Sequence, residues 1–189
     1  NQFLNHAAVN PTFNMLYTLT KSKDFSKEFN FYGDEERETL TKGLFTTESV
    51  DTDTLLRTRR PNVLIVIWEG CPGAFVEAVG GEPDVTPNLN RLAKEGVVFT
   101  NCYANSYRTD RGVLCTLSGW LGMPTASLMK MTDKSSNLPA IAESLGAFGY
   151  KCDFWYGGDV GFTNMNSYLY ESGYKTVRGD TYFSVEDRN

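Results

Sequence analysis

An α/β domain with a mostly parallel sheet and flanking helices, preceded by a short helical arm, is the architecture this sequence predicts. Three observations lead there. Val63 to Ile67 is an uninterrupted, largely β-branched apolar run, the pattern of a strand covered on both faces. Helix signals with proline near the start and glycine at the end then alternate with further short apolar runs. Finally, 189 residues with 41% hydrophobic and 22% charged side chains suffice for one ordinary core.

Residues 1–60 are polar and irregular. Asn10-Pro11 reads as an N-cap and first helical position, with Phe13, Leu16 and Tyr17 as a short apolar face. A second short helix is expected from Asp34 to Lys42, and the Thr-, Asp- and Arg-rich stretch 46–60 reads as a linker or surface arm. The domain proper is expected over 61–189. In VTPNLNRLAKEGVVFTNCYAN, Thr86 is the expected N-cap and Pro87 lies in the first turn. Leu89 and Leu92 mark a buried stripe, a left-handed Gly96 ends the helix, and Val97 to Tyr103 forms the next strand. Asn137 is expected to cap a helix running to Ala147, with Gly149 after it and a strand over Lys151 to Tyr156. A helix from Phe162 to Glu171 stops at Gly173, before a short strand near Lys175 to Arg178. Strands alternating with helices of this length imply βαβ units.

Charge and composition remove several classes of function. A formal net charge of −5 offers no general attraction to nucleic acid. The longest apolar run is too short to span a bilayer. The turn EGCPGA after the first apolar run is not the GxGxxG of a dinucleotide-binding fold. Cys71, Cys102, Cys115 and Cys152 form no CxxC pair, which excludes a zinc ribbon and leaves disulfides open. His6 is the single histidine.

In an open parallel sheet, ligands collect beyond the carboxyl ends of the strands. Two features fall there: Glu69, directly after the first apolar run, and NSYRTDRG (105–112), directly after the second. A carboxylate and a hydroxyl facing each other suit a metal ion that Glu69 holds and that activates Thr109, with an anion bound at the following helix start. Ser106 is the competing hydroxyl. Arg108 and Arg111 flank Thr109, either to offset phosphate charge or simply as exposed surface residues. Asp159, Asn164 and Asn166 are candidates for a head-group pocket or, equally, ordinary turn and helix-start residues.

The runs NVLIVIWEG, TPNLNRLAKEGVVFTNCYAN, SYRTDRG and FWYGGDVGFTNMNSYLYESGY resemble the alkaline phosphatase/sulfatase superfamily, and within it the lipoteichoic acid synthase and phosphoglycerol transferase branch. That resemblance covers Pro61 to the C-terminus and implies an alkaline phosphatase-like fold, incomplete in this chain. It implies that Glu69 and Thr109 are metal ligands and Thr109 the nucleophile. The implied ion is usually manganese, with Mg2+, Zn2+ and Ca2+ as alternatives. The implied partner is a phospholipid head group or another phosphate or sulfate ester, with phosphoethanolamine transfer, simple hydrolysis or a non-catalytic binding module as alternatives. The arm then resembles the connector that follows membrane-spanning helices, which puts the domain on the outer side of a bacterial membrane.

Two departures stand out. The nucleophile turn reads RTDRG rather than the CxPxR of formylglycine sulfatases, which argues against ester hydrolysis by a modified cysteine. Where glycerophosphate-binding members resemble FHxxxxxFWNR, this chain carries Tyr156, Thr163 and Met165 in place of histidine, tryptophan and arginine. The family also draws an Asp-His pair from later sequence. With no methionine at Asn1 and no histidine after His6, the chain is expected to be the N-terminal half of a catalytic domain. A half-built metal site, little activity in isolation and homodimerisation through uncovered sheet are expected to follow.

Overall fold

The computed structural model describes residues 10–19, 24–43 and 55–188. His6 and the larger part of the 46–60 arm lie outside them. The chain divides into two compact units, 1–63 and 64–189.

The first unit contains three short helices, α1 (Pro11–Leu19), α2 (Phe25–Glu28) and α3 (Asp34–Thr41). Local signals account for them. Asn10 Oδ1 accepts the Phe13 amide at 3.1 Å, and Asp24 caps α2 through the Ser26 amide at 3.1 Å. Asp34, Glu35 and Glu36 crowd the first turn of α3, where the helix dipole favours negative charge. Neither α2 nor α3 buries a residue, so capping and propensity carry them.

The second unit has α4 (Pro87–Glu95), α5 (Thr109–Ser118), α6 (Thr132–Ser135), α7 (Ile141–Ala147), β1 (Asp153–Trp155), α8 (Met165–Glu171) and β2 (Thr176–Arg178). β1 and β2 pair in parallel, with Asp153, Phe154 and Trp155 opposite Thr176, Val177 and Arg178. Bonds from Tyr156 N to Arg178 O (2.8 Å) and from Lys175 N to Cys152 O (2.9 Å) extend this ladder at both ends. The crossover between them is α8, so β1-α8-β2 is the expected βαβ unit.

Several sequence expectations need correction. Neither Val63 to Ile67 nor Val97 to Tyr103 forms a strand; among the described residues the sheet is two-stranded. The apolar pattern encodes burial, but a strand also needs a neighbour whose N–H and C=O groups match its own. Leu64 is 87% exposed and Val66 75%. Leu89 is half-buried and Leu92 exposed, so α4 has no buried stripe. The Thr86 hydroxyl donates to Phe75 O at 2.8 Å instead of capping α4, and Gly96 is extended rather than left-handed. Pro139 disfavours helix at the residue before it, and α7 starts at Ile141, not after Asn137. Thr163 and Asn164 have positive φ, which delays α8 to Met165.

The core is built around α8. Met165, Tyr168 and Leu169, at i, i+3 and i+4, share one face and are fully buried. Val113, Leu114, Cys115 and Leu117 of α5, with Ala126, Leu128, Met129, Ala140, Ala142 and Tyr174, complete the buried apolar set among the described residues. Ser118 Oγ and Tyr168 OH satisfy each other at 2.7 Å. Gly173 ends α8 with φ +95°, and a Cβ there would sit 3.1 Å from Glu143 N, so the turn requires glycine twice over. Tyr174 then packs edge-on against Phe154, with centroids 5.6 Å apart.

Leu169→Ala should cost about 2–5 kcal/mol in urea unfolding, the usual range for emptying a closed core site. Burial, then the neighbouring Tyr168 and Cys152, pushes the Tyr174 phenol up to about 12 from an ordinary 10. Between those values the unfolded chain has released a proton that the native state retains, so stability is complete below pH 10 and falls as pH rises towards 12. In Tyr174→Phe, pH-dependent unfolding should be flatter across that window.

Candidate functional site

Glu69 follows the extended segment 64–68 and precedes Gly70, whose φ of +70° turns the chain at once. The opposing hydroxyl comes from the first residue of α5. Arg108 is its N-cap in an extended conformation, and its carbonyl accepts the Arg111 and Gly112 amides at 3.0 and 2.7 Å. No side chain caps this end, so the first amides of α5 have no intrahelical partner and favour an anion. Thr109 Oγ1 donates to Glu69 Oε1 at 2.5 Å across forty residues of sequence. Ser106 makes no such bond, so of the two hydroxyls in the turn it is Thr109 that meets the carboxylate.

The turn is anchored from behind. Asn105 Oδ1 accepts the Gly122 amide at 3.0 Å, and Asn105 Nδ2 donates to Trp120 O at 3.3 Å. A Cβ on Gly122 would fall 2.9 Å from Asn105 O and 3.2 Å from Ser106 Cβ. Sequence reasoning missed this brace, although Asn105 lies inside the singled-out segment; its partner is seventeen residues away and carries no pattern.

The remaining candidates have structural partners. Arg108 Nε lies 3.5 Å from Asp110 Oδ1, on the helix turn beside Thr109. Asp110 is only 2% exposed, and Lys130 Nζ approaches its other oxygen at 3.8 Å. Arg111 donates to Pro124 O at 3.0 Å and to Tyr107 OH at 3.4 Å, with its guanidinium 5.4 Å from the Tyr107 ring centroid. Asp159 Oδ1 accepts the Gly161 amide at 2.7 Å, the mark of an Asx turn. Asn164 Nδ2 donates to Met129 O at 3.3 Å. Met165 is fully buried. Tyr156 is an addition: burial raises its phenol pKa first, and the charge of Glu69 raises it further. All four cysteines are free thiols.

With that geometry in place, the family can be identified. Residues 61–189 match the sulfatase family model. This chain belongs to the sulfatase family. It is 34% identical over 62 residues to an N-acetylglucosamine-6-O-sulfatase of Bacteroides thetaiotaomicron, covering 33% of this chain and 11% of that protein. It is 45% identical over 47 residues to an ulvan-active sulfatase of Formosa agariphila, covering 25% of this chain and 8% of that one. The fold is similar to the crystal structure of a protein in the alkaline phosphatase superfamily from Vibrio parahaemolyticus. There the TM-score is 0.56 and the identity 31%, over 61% of this chain and 28% of the other. The chain therefore spans a small part of each of these three relatives.

Members of this superfamily generally use divalent metals. The donor chemistry here suits one: a carboxylate and a hydroxyl, both hard oxygens, already lie side by side. Among the described residues no group of three or more His, Cys, Asp or Glu side chains is arranged around an ion.

Glu69→Gln should lower the Tyr156 phenol pKa, because it removes the second of the two causes that raise it and leaves burial in place. Ultraviolet titration of the variant against wild type, with Tyr156→Phe to assign the transition, checks this.

Proposed function

We propose that this sulfatase-family chain supplies the nucleophile of an ester-cleaving enzyme, with Thr109 as the attacking group and a lipid phosphodiester as donor. The observation that carries the reading is the 2.5 Å contact between Thr109 Oγ1 and Glu69 Oε1. A bound divalent cation shared by these two residues, manganese foremost, would acidify the hydroxyl and neutralise ester charge. Glu69 Oε1, which accepts the Thr109 hydroxyl in a hydrogen bond, takes its proton as Thr109 Oγ1 attacks phosphorus. The bond from phosphorus to the lipid alcohol breaks, and the departing oxygen takes a proton from solvent. The head group stays on Thr109 until an acceptor hydroxyl, losing its proton to solvent, displaces it, and Glu69 returns the proton to Thr109 Oγ1. The uncapped amides of α5 favour the negative charge that gathers on the ester oxygens. Arg108 serves the same charge once it leaves Asp110. On this reading the parent enzyme works at the outer side of a bacterial membrane, on a phosphoglycerol-type head group.

A second reading, transfer of a sulfuryl group from a sulfated sugar through the same threonine, is favoured by the two curated relatives, both named as sulfatases. The unmodified hydroxyl serves either chemistry; the adduct it carries tells them apart.

Peptide mass spectrometry of the full-length parent enzyme, after incubation with manganese and labelled phosphatidylglycerol or with a sulfated monosaccharide, should find the adduct on the Thr109 peptide. Its mass distinguishes glycerophosphate, phosphoethanolamine, phosphate and sulfate. Thr109→Ala should abolish the adduct and lower turnover by at least about 1,000-fold, as expected when a nucleophile is removed. Equal turnover by Thr109→Ala and wild type would refute the assignment.

A further inference from the structure

At the end of the small sheet lies a second cluster that the ester-cleaving reading does not use. Trp155 and Arg178 are the last residues of β1 and β2 and pair across the ladder. Their side chains therefore share a face, opposite to the Phe154 and Val177 pair. After β2, a tight turn over Asp180–Tyr182 brings Tyr182 back over the same place. That turn is fixed by the bond from Asp180 N to Gly158 O at 2.9 Å and by close packing of Gly179, where a Cβ would meet Gly158 O at 2.9 Å.

The result is a corner of rings around one cation. Trp155 and Tyr182 stand perpendicular, at 89°, with centroids 5.2 Å apart, and Phe183 closes the base 5.9 Å from Trp155. The Arg178 guanidinium carbon sits 4.4 Å from the Trp155 centroid and 4.0 Å from the Tyr182 centroid. Yet Trp155 is 50% exposed and Tyr182 55%. Among the described residues no carboxylate pairs with Arg178. Asp153, on the same face, lies 3.7 Å from Lys151 Nζ, and Asp180 Oδ1 takes the Thr181 amide at 2.8 Å.

A guanidinium stacked on rings has spent its faces, while its in-plane N–H groups remain free to bind an oxyanion in bidentate fashion. Trp155 and Tyr182 each give one face to Arg178, and both remain half exposed, which leaves ring surface of the kind that the polarised C–H groups of a pyranose ring contact. The position, beyond the carboxyl ends of parallel strands, is where such folds collect ligands. We infer that Trp155, Arg178 and Tyr182 form a binding subsite for a sugar carrying a sulfate or phosphate ester. Arg178 reads the ester oxygens and the two rings hold the sugar face. The choice of a sugar ester as ligand rests on the second, sulfuryl-transfer reading above; the cluster itself includes neither Thr109 nor Glu69. Tyr156 follows β1 and continues its ladder through the bond to Arg178 O at 2.8 Å, so alternation sends its side chain away from that of Trp155, and it is Tyr156 whose phenol feels Glu69.

Calorimetric titration of the chain with glucose 6-sulfate, glucose 6-phosphate, glucose and inorganic sulfate tests this. At least one sugar ester should bind about tenfold or more tightly than glucose or inorganic sulfate, the scale of one charge-assisted pair. Which ester is preferred identifies the group that Arg178 reads. Arg178→Gln should weaken that binding about tenfold. Arg178→Lys, which keeps the charge and the packing of the stem, should also weaken it, so a folding defect in the first variant does not decide the matter. The indole N–H resonance of Trp155, assigned with Trp155→Phe, should shift on saturation. Thr109→Ala should leave the affinity unchanged, so loss of the adduct and loss of this site are read separately. Equal affinity in both Arg178 variants and wild type would overturn the inference. So would inorganic sulfate binding as well as the sugar esters, or binding that Thr109→Ala abolishes.

Discussion

A single hydrogen bond, from Thr109 Oγ1 to Glu69 Oε1, joins the hydroxyl and the carboxylate on which the proposed chemistry rests, and the surrounding structure positions both. As an exposed contact it contributes little to stability, on the order of 1 kcal/mol. It does not hold the site together; the site holds it in place. α5 is fixed by burying Val113, Leu114 and Leu117, so its first residue is aimed by a core one to two turns along the helix. The preceding turn is clamped by Asn105 against Gly122, where no larger residue fits. On the other side, Gly70 turns the chain away immediately after Glu69, leaving the carboxylate at the tip of its segment. Each constraint is steric or conformational, and together they decide which hydroxyl meets which acid.

Asp110 sets the electrostatics of that position. A nearly inaccessible carboxylate in the first turn gains from the helix dipole, but its desolvation demands cations. Arg108 and Lys130 supply them at 3.5 and 3.8 Å, too long for strong hydrogen bonds. The same arrangement explains why Arg108 is not simply a free phosphate clamp beside Thr109. Its charge is shared with a buried neighbour, and an incoming anion must compete with that neighbour. Arg111 is further committed, to a carbonyl and a phenol on the opposite side of the turn. Attraction of an ester to this end of α5 therefore rests first on the backbone amides.

What was legible in the sequence was what is decided locally. Pro87, Gly149 and Gly173 mark helix ends because φ preferences act within a few residues. The i, i+3, i+4 spacing of Met165, Tyr168 and Leu169 specifies a buried face in the same way. The sequence singles out Glu69 because it directly follows one apolar run, and Thr109 because its turn, 105–112, comes after another, whatever those runs pair with. The ribbons at 63–67 and 97–103 were misread because pairing is not local: the residues announce that they prefer burial without naming a neighbour. The left-handed conformations of Thr163 and Asn164 also escaped, since neither residue type demands them. Tyr156 was noted only for the histidine it replaces, and its electrostatic link to Glu69 depends on a tertiary approach that spacing does not encode.

The exposed ribbon bears on the chemistry as well as on the fold. Leu64 and Val66 are exposed, and among the described residues no ladder of backbone hydrogen bonds braces the segment that presents Glu69. Thr109, by contrast, is braced by α5. The separation between hydroxyl and carboxylate is therefore only as constant as the less restrained partner allows. Strand neighbours would fix the ribbon through its backbone groups and remove its apolar side chains from water, at roughly 25 cal/mol for each Å² covered. Glu69 would then be held as firmly as Thr109, which a metal ligand needs, because a coordinated ion tolerates far less variation in distance than a surface hydrogen bond does. Burial that is worth several kcal/mol to folding and positional accuracy at the site would thus be two consequences of the same pairing.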